Sequence, residues 1–100
     1  MRFFDTESDA RAEIVSILKP ILGNAHLFVA ERNAINIGLR EVIFVVRTQK
    51  DDAKSESVVN ALFTAQCSQS ERLEWQGSKM DFLNDNETEY IMIRTVVENG

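Results

Sequence analysis

The chain has one histidine and one cysteine, the two residues that could form a nucleophilic catalytic pair. His26 and Cys67 would have to lie within hydrogen-bond distance for the imidazole to take the thiol proton. His26 falls at the start of a predicted strand and Cys67 near the end of a predicted helix, and no local motif connects them. We therefore expect structural roles for both residues, with Cys67 acting as a small apolar side chain.

Acidic residues are numerous, but their spacing does not match a known metal loop. The densest stretch contains Asp81, Asp85, Glu87 and Glu89. A calcium loop needs alternating oxygen ligands, a glycine at its sharp turn and a closing glutamate, and this stretch lacks that spacing and the glycine. Glu74 would face Asp81 across a predicted hairpin, so that pair is either relieved by a cation or used in acid–base chemistry.

Phosphate-binding and hydrolase motifs do not occur in the sequence. The four glycines are scattered, so neither GxGxxG nor a Walker A loop is present, and no serine stands in a GxSxG context. We expect a protein without enzymatic activity, and we assign no catalytic residue, cofactor or metal ligand.

Length and composition predict one globular domain. The chain has 100 residues, of which 44% are hydrophobic and 27% charged. A single cysteine excludes an intramolecular disulfide and suits a reducing compartment. No apolar run is long enough for a signal peptide or a membrane span. We expect a cytoplasmic protein that does not bind membranes.

The charge is distributed unevenly along the chain. Eleven basic and sixteen acidic residues give a net charge of −5, which argues against direct binding to nucleic acid. The middle of the chain is basic, whereas residues 81–100 hold five acidic residues and one basic residue. This segregation is either a solvated surface or a head-to-tail contact between subunits. The candidate interface residues are Arg32, Arg40, Arg47, Asp85, Glu87 and Glu89.

The predicted helices and strands determine where the candidate interface residues lie. The first of these elements is a clear amphipathic helix. Thr6 or Asp5 can cap its start, and apolar residues then recur every three or four positions. Pro20 cannot donate an N–H, so the helix ends or kinks there. Residues 25–31 predict a short strand, and residues 32–38 are either a loop or a second short strand.

The remaining elements follow from alternating and helical patterns. Residues 40–48 predict a central strand because both of its faces are apolar. Residues 53–67 predict the second helix. Residues 71–76 and 79–83 predict a hairpin with a Gly-Ser turn, and residues 88–97 predict the last strand.

Together these elements predict a single α+β domain in the order α-β-β-α-β-β-β. Two helices would pack on one face of a four- to five-stranded, largely antiparallel sheet. The apolar second face would then meet a curled part of the sheet or another subunit. Aromatic and methionine residues on the C-terminal strands suit either core packing or an interface. They are Trp75, Met80, Phe82, Tyr90 and Met92.

The order of helix, strand, long central strand, polar link, helix and closing hairpin resembles the tail-terminator (minor tail or tail-completion) proteins of long-tailed bacteriophages. Residues 40–48, 49–54 and 55–67 are similar to the central strand–link–helix unit of that family, and residues 73–97 resemble its closing hairpin. The resemblance implies a non-enzymatic assembly factor that forms a ring at the end of the tail tube and meets the head connector. It transfers no catalytic residue to this chain.

The sequence thus supports two functional hypotheses. The first is an assembly protein that acts through self-association and a protein partner, with the phage tail terminator as its specific form. The second is a small acidic inhibitor that occupies a basic site on a nucleic-acid-handling protein, because the last quarter of the chain is strongly acidic.

Overall fold

A computed structural model describes residues 3–24, 26–49, 53–68, 73–75 and 88–98. These residues form two helices and an antiparallel sheet, which confirms the predicted α+β class. The elements in chain order are α1 (Glu7–Leu22), β1 (Leu27–Asn36), β2 (Leu39–Gln49), α2 (Ala53–Ser68), β3 (Leu73–Trp75) and β4 (Thr88–Glu98). The strand predicted at residues 79–83 lies outside the described residues.

The sheet consists mainly of three long antiparallel strands, and β2 lies between β1 and β4. The short β3 pairs with the other side of β4, so the strand order is β1-β2-β4-β3. Val42, Phe44 and Val46 alternate along β2 and pack in the core, while Ile43 and Val45 on the opposite face are buried as well. The prediction of a central strand with two apolar faces is therefore confirmed.

The uncertain segment 32–38 belongs mostly to β1, which runs on to Asn36 before a two-residue turn. The pairing register between β1 and β2 shifts once between Val29 and Glu31 and again between Ala34 and Asn36. Each extra residue is a bulge that breaks the two-residue alternation expected of a strand. These two interruptions explain why the sequence pattern left the segment ambiguous.

The first helix begins where its capping residue predicts. The N–H of Asp9 donates to the Thr6 side-chain oxygen at 3.1 Å, so Thr6 is the N-cap. Pro20 lies inside the last turn, and the helix continues past it to Leu22. Gly23 then ends the helix with a φ of 67° and donates its N–H to the Lys19 carbonyl at 2.9 Å.

The core lies between the two helices and one face of the sheet. Ala10, Ile14 and Leu18 form the buried stripe of α1, and Val58 and Leu62 supply the facing stripe of α2. Both helices therefore lie on one side of the sheet, as the spacing of their apolar residues predicts. Among the described residues, no helix is both long enough and apolar enough to cross a membrane.

The last strand closes the sheet against the beginning of the chain. Ile91, Ile93 and Val97 of β4 face the core. Beyond β3, the backbone of Phe4 pairs with β4: its N–H donates to Val96 and its carbonyl accepts from Glu98, at 3.0 and 2.9 Å. Phe4 is buried in the core, so the N-terminal segment completes this edge of the sheet.

Candidate interaction surfaces

Two of the three candidate arginines lie together beside the first turn of α1. The Nε and Nη2 atoms of Arg32 donate to the two carboxylate oxygens of Glu7 at 2.7 and 3.1 Å. Arg40 approaches the same carboxylate, with Nη2 3.7 Å from Oε1. Arg32 and Arg40 come from neighbouring strands, and Glu7 comes from the first turn of α1. The carboxylate therefore joins the helix to the β1–β2 hairpin.

This ion pair changes the titration of both partners. The hydrogen bond from Arg32 is the main cause that lowers the pKa of Glu7 below its ordinary value of 4.5, and the charges of Arg32, Arg40 and Arg11 act in the same direction. Burial opposes the shift but does not reverse it. The hydrogen bond to Glu7 is likewise the main cause that raises the pKa of Arg32. Glu7 therefore stays ionised at moderately acidic pH.

Arg47 does not belong to this group. Arg40 and Arg47 are seven positions apart on β2, which corresponds to about 23 Å along an extended strand. An odd separation also places them on opposite faces of the sheet. The sequence treats the three arginines as one basic region, whereas the structure separates Arg47 from the other two.

The acidic candidates are described only in part. Asp85 and Glu87 lie outside the described residues. Glu89 lies in β4, opposite Thr48 of β2, and its neighbour Tyr90 is opposite Arg47. Glu89 and Arg47 therefore belong to one end of the sheet, and Arg40 and Arg32 belong to the other.

A second polar cluster, missed by the sequence analysis, lies on the sheet face opposite the helices. Arg94 donates through Nε to Glu41, and the Asn33 amide donates to Glu41 at 3.3 Å and to Glu31 at 3.1 Å. Glu74 is opposite Arg94 in the pairing of β3 with β4. The sequence left open whether a cation relieves the Glu74–Asp81 pair or the pair is used in chemistry; Glu74 has an arginine at its register position in β4, and Asp81 lies outside the described residues. The strand pairing was the missing information.

Exposed apolar side chains concentrate on the β1–β2 hairpin. Phe28 and Ile35 are 45% and 47% exposed, and Ile37 in the turn is completely exposed. On the described surface, the other large apolar side chain with high exposure is Phe63 of α2, at 58%. Gly38 follows Ile37 with a φ of 85°, a conformation that favours glycine and turns the chain sharply.

A cavity of about 290 Å³ lies where α1 ends and β1 begins. His26 lies immediately before β1, and its ring contacts the Phe28 ring edge-on, with 4.9 Å between centroids. The cavity combines apolar side chains with three nitrogen-bearing ones. Its lining residues are Leu22, Asn24, His26, Phe28, Val46 and Arg47.

The described residues contain no cluster of three or more His, Cys, Asp or Glu side chains that could hold a metal ion. The side chain of Cys67, which the sequence pairs with His26 as a possible nucleophile, lies outside the described part of the chain. Comparison with protein-family models, curated proteins and solved structures finds no match for this chain.

Proposed function

We propose that this chain is a non-enzymatic assembly protein that acts through self-association. Its specific form would be the ring subunit of a phage tail terminator, in the cytoplasm during assembly and then in the virion. The order of α1, β1, β2 and α2 supports that form because it contains the long central strand, polar link and helix on which the resemblance rests. The same proposal includes the predicted order of elements for the whole chain, α-β-β-α-β-β-β, with a sheet of four to five strands.

The main support is the position of the exposed apolar side chains. Ile35 and Ile37 lie two positions apart where β1 meets the turn, whereas Phe28 lies seven positions before Ile35, at the start of β1. β1 is the outer strand of the described sheet. Solvent exposure of Ile35 and Ile37 is unfavourable in a monomer, and exposed apolar side chains at an outer strand are typical of a protein contact. The hairpin is therefore the surface that we assign to subunit association.

The contact at the hairpin is expected to use side chains rather than an added strand. A regular outer strand offers unpaired N–H and C=O groups to another strand. The two register shifts in β1 interrupt that row, because each bulge bends the strand and displaces its hydrogen-bonding groups. The apolar side chains remain available on both sides of these shifts.

We expect a head-to-tail contact between unlike ends of the sheet, in which Glu89 of one copy meets Arg32 and Arg40 of the next. Arg32 and Arg40 are at the hairpin end with Glu98, and Glu89 belongs to the opposite end with Arg47. A contact between unlike ends of identical subunits repeats from one copy to the next, and it forms a ring when the rotation closes. Glu7 is the carboxylate that Arg32 and Arg40 share, so one negative charge faces two positive charges there.

Light scattering after size exclusion, over a range of protein concentrations, tests this function. We expect a defined oligomer whose mass falls when Ile37 is changed to Asn. Ile37 is completely exposed, so its replacement removes no packing within the subunit. Phe63→Ser is the matched control, since Phe63 is exposed on α2, and it should leave the mass unchanged. Addition of assembled tail tubes should recruit the wild-type chain to tube ends if the terminator form is correct.

A chain that stays monomeric at every concentration, with or without tail tubes, would overturn the self-association proposal. Salt-sensitive binding of that monomer to a basic protein would instead support the acidic inhibitor, because attraction between exposed opposite charges weakens as salt screens them.

A further inference from the structure

The cavity at the C-terminal end of α1 contains a cation, Arg47, that has no hydrogen-bond or ion-pair partner among the described residues. Its side chain is exposed at the cavity wall. Each of the other described arginines makes at least one hydrogen bond or ion pair with a described residue, although the buried Nε of Arg40 has no hydrogen-bond partner there. Arg11 donates to the Leu27 carbonyl at 2.9 Å, Arg32 and Arg40 bind Glu7, and Arg94 binds Glu41.

The remaining walls of the cavity offer an apolar surface and additional donors. Leu22, Val46 and Phe28 are apolar, and the His26 ring contacts the Phe28 ring edge-on. The Asn24 amide and the His26 imidazole can donate N–H groups. A few convergent polar groups above an apolar wall are typical of a small-molecule site.

We propose that this cavity binds a small organic acid, a carboxylate attached to an apolar group, with Arg47 as the residue that binds the carboxylate. A guanidinium presents two parallel N–H donors that match the two oxygens of a carboxylate. The apolar part of the ligand lies against Phe28 and Leu22, since Val46 is almost completely buried in the core. This site is separate from the exposed side chains Ile35 and Ile37 of the β1–β2 hairpin, to which we assign self-association.

The carboxyl end of α1 opposes this binding only weakly. The last carbonyl groups of a helix carry partial negative charge, which repels an anion. The N–H of Gly23 satisfies one of these carbonyls, that of Lys19, and the Lys19 side chain adds a positive charge to the last turn. The full charge of Arg47 therefore outweighs the partial charge of the helix end.

The cavity volume limits the size of the ligand. About 290 Å³ is at the lower limit for pockets that bind small molecules, so an acid with a single ring is the largest that we expect to fit. Phenylacetate is a suitable probe because it has one carboxylate and one aromatic ring. Phenylacetamide has the same shape without the charge, and it is the matched control ligand.

Titration of the ¹⁵N-labelled full-length chain by nuclear magnetic resonance tests the proposal. Phenylacetate should shift the amide signals of His26, Phe28 and Arg47, with a dissociation constant on the order of 1 mM. Phenylacetamide should bind at least about tenfold more weakly, and Arg47→Gln should weaken phenylacetate binding by a similar factor. Lys19→Gln removes a nearby positive charge outside the cavity lining and should change the affinity much less.

Three results would overturn the proposal: no shift at these amides, equal binding of acid and amide, or unchanged binding to the Arg47→Gln variant. Arg47 is exposed, so the variant should keep the wild-type spectrum and the comparison should hold. Light scattering of the same samples identifies the source of the natural carboxylate. An unchanged oligomer mass on addition of phenylacetate supports a free acid as the natural ligand, and a fall in mass would overturn it in favour of an acidic side chain of a second copy.

Discussion

The Glu7 carboxylate in the first turn of α1 receives two hydrogen bonds from the Arg32 guanidinium in β1, at 2.7 and 3.1 Å. The pair connects the start of the helix to the outer strand, and Arg40 adds a second positive charge at 3.7 Å. The negative charge of Glu7 also favours the N-terminus of the helix dipole. The Glu7 carboxylate therefore interacts with Arg32, with Arg40 and with the helix dipole.

Replacement of Glu7 by Gln should lower the free energy of unfolding at pH 7 by at most about 1 kcal/mol, because the pair is partly exposed and screened by solvent. The pKa of Glu7 is lowered in the folded state, so the unfolded chain takes up this proton first as the pH falls. The stabilisation is therefore complete above the ordinary pKa of 4.5 and disappears as the pH falls through the lower folded-state value. Urea unfolding of both proteins from pH 7 to pH 2 measures the difference.

Asp9→Asn is the matched control for Glu7→Gln. Asp9 is also in the first turn of α1 and contributes to the helix dipole, but its side chain has no ion pair among the described residues. If Asp9→Asn and Glu7→Gln lose stability equally and with the same pH dependence, the hydrogen bonds from Arg32 contribute nothing measurable.

Thr6→Ala should lower the free energy of unfolding by about 1 kcal/mol because the Asp9 N–H loses its acceptor at the start of α1. Thr6→Ser keeps the hydroxyl and should be close to wild type. Ser8→Ala, at an exposed position inside the same first turn, provides the background effect of removing a hydroxyl. Thermal unfolding followed by circular dichroism compares the four proteins, and equal losses for Thr6→Ala and Ser8→Ala would contradict the capping role.

Gly38→Ala should destabilise the chain by about 1 kcal/mol, since a φ of 85° is unfavourable for a residue with a Cβ. No atom lies within 4 Å of the position that the Cβ would take, so the cost is conformational rather than steric contact with neighbours. Gly38→Asn should cost less because asparagine tolerates positive φ better than alanine. Chemical denaturation measures both variants; equal stability of Gly38→Ala and wild type would show that the turn adapts freely.

Glu89→Arg should weaken self-association, because it places a positive charge at the sheet end that we expect to meet Arg32 and Arg40 of the next copy. Glu98→Arg changes the same charge on the same strand, but Glu98 pairs with Leu39 at the hairpin end and should not weaken association. Sedimentation at low and high salt measures the two variants, and high salt should reduce their difference. Equal weakening by both would exclude the head-to-tail arrangement.

The regular parts of the fold were predictable from local patterns. The spacing of Ile14 and Leu18 defines the buried stripe of α1, and the two-sided apolar pattern around Phe44 identifies the central strand. Both patterns show directly which apolar side chains become buried. Burial of apolar surface is the dominant favourable term in folding. The β1 strand was harder because its two bulges interrupt the alternation.

The candidate surfaces were less predictable because they depend on strand pairing. Charge counting grouped Arg47 with Arg40, although the register places Arg47 beside the acidic end of the sheet. The Glu7–Arg32 pair joins residues that are 25 positions apart, and the cavity beside His26 forms only when a helix end meets two strand ends. No short window of the sequence contains this information.

The pairing of Phe4 with Val97 also constrains the order of events during synthesis. The N-terminal residues leave the ribosome first, so Phe4 emerges long before β4, the strand that it contacts. Until β4 has been released, β2 lacks its second neighbour and the apolar side chains of α1 lack much of their core. We therefore expect the nascent chain to fold only after β4 has left the ribosome. Until then, its apolar side chains and the unpaired edge of β2 remain exposed to aggregation.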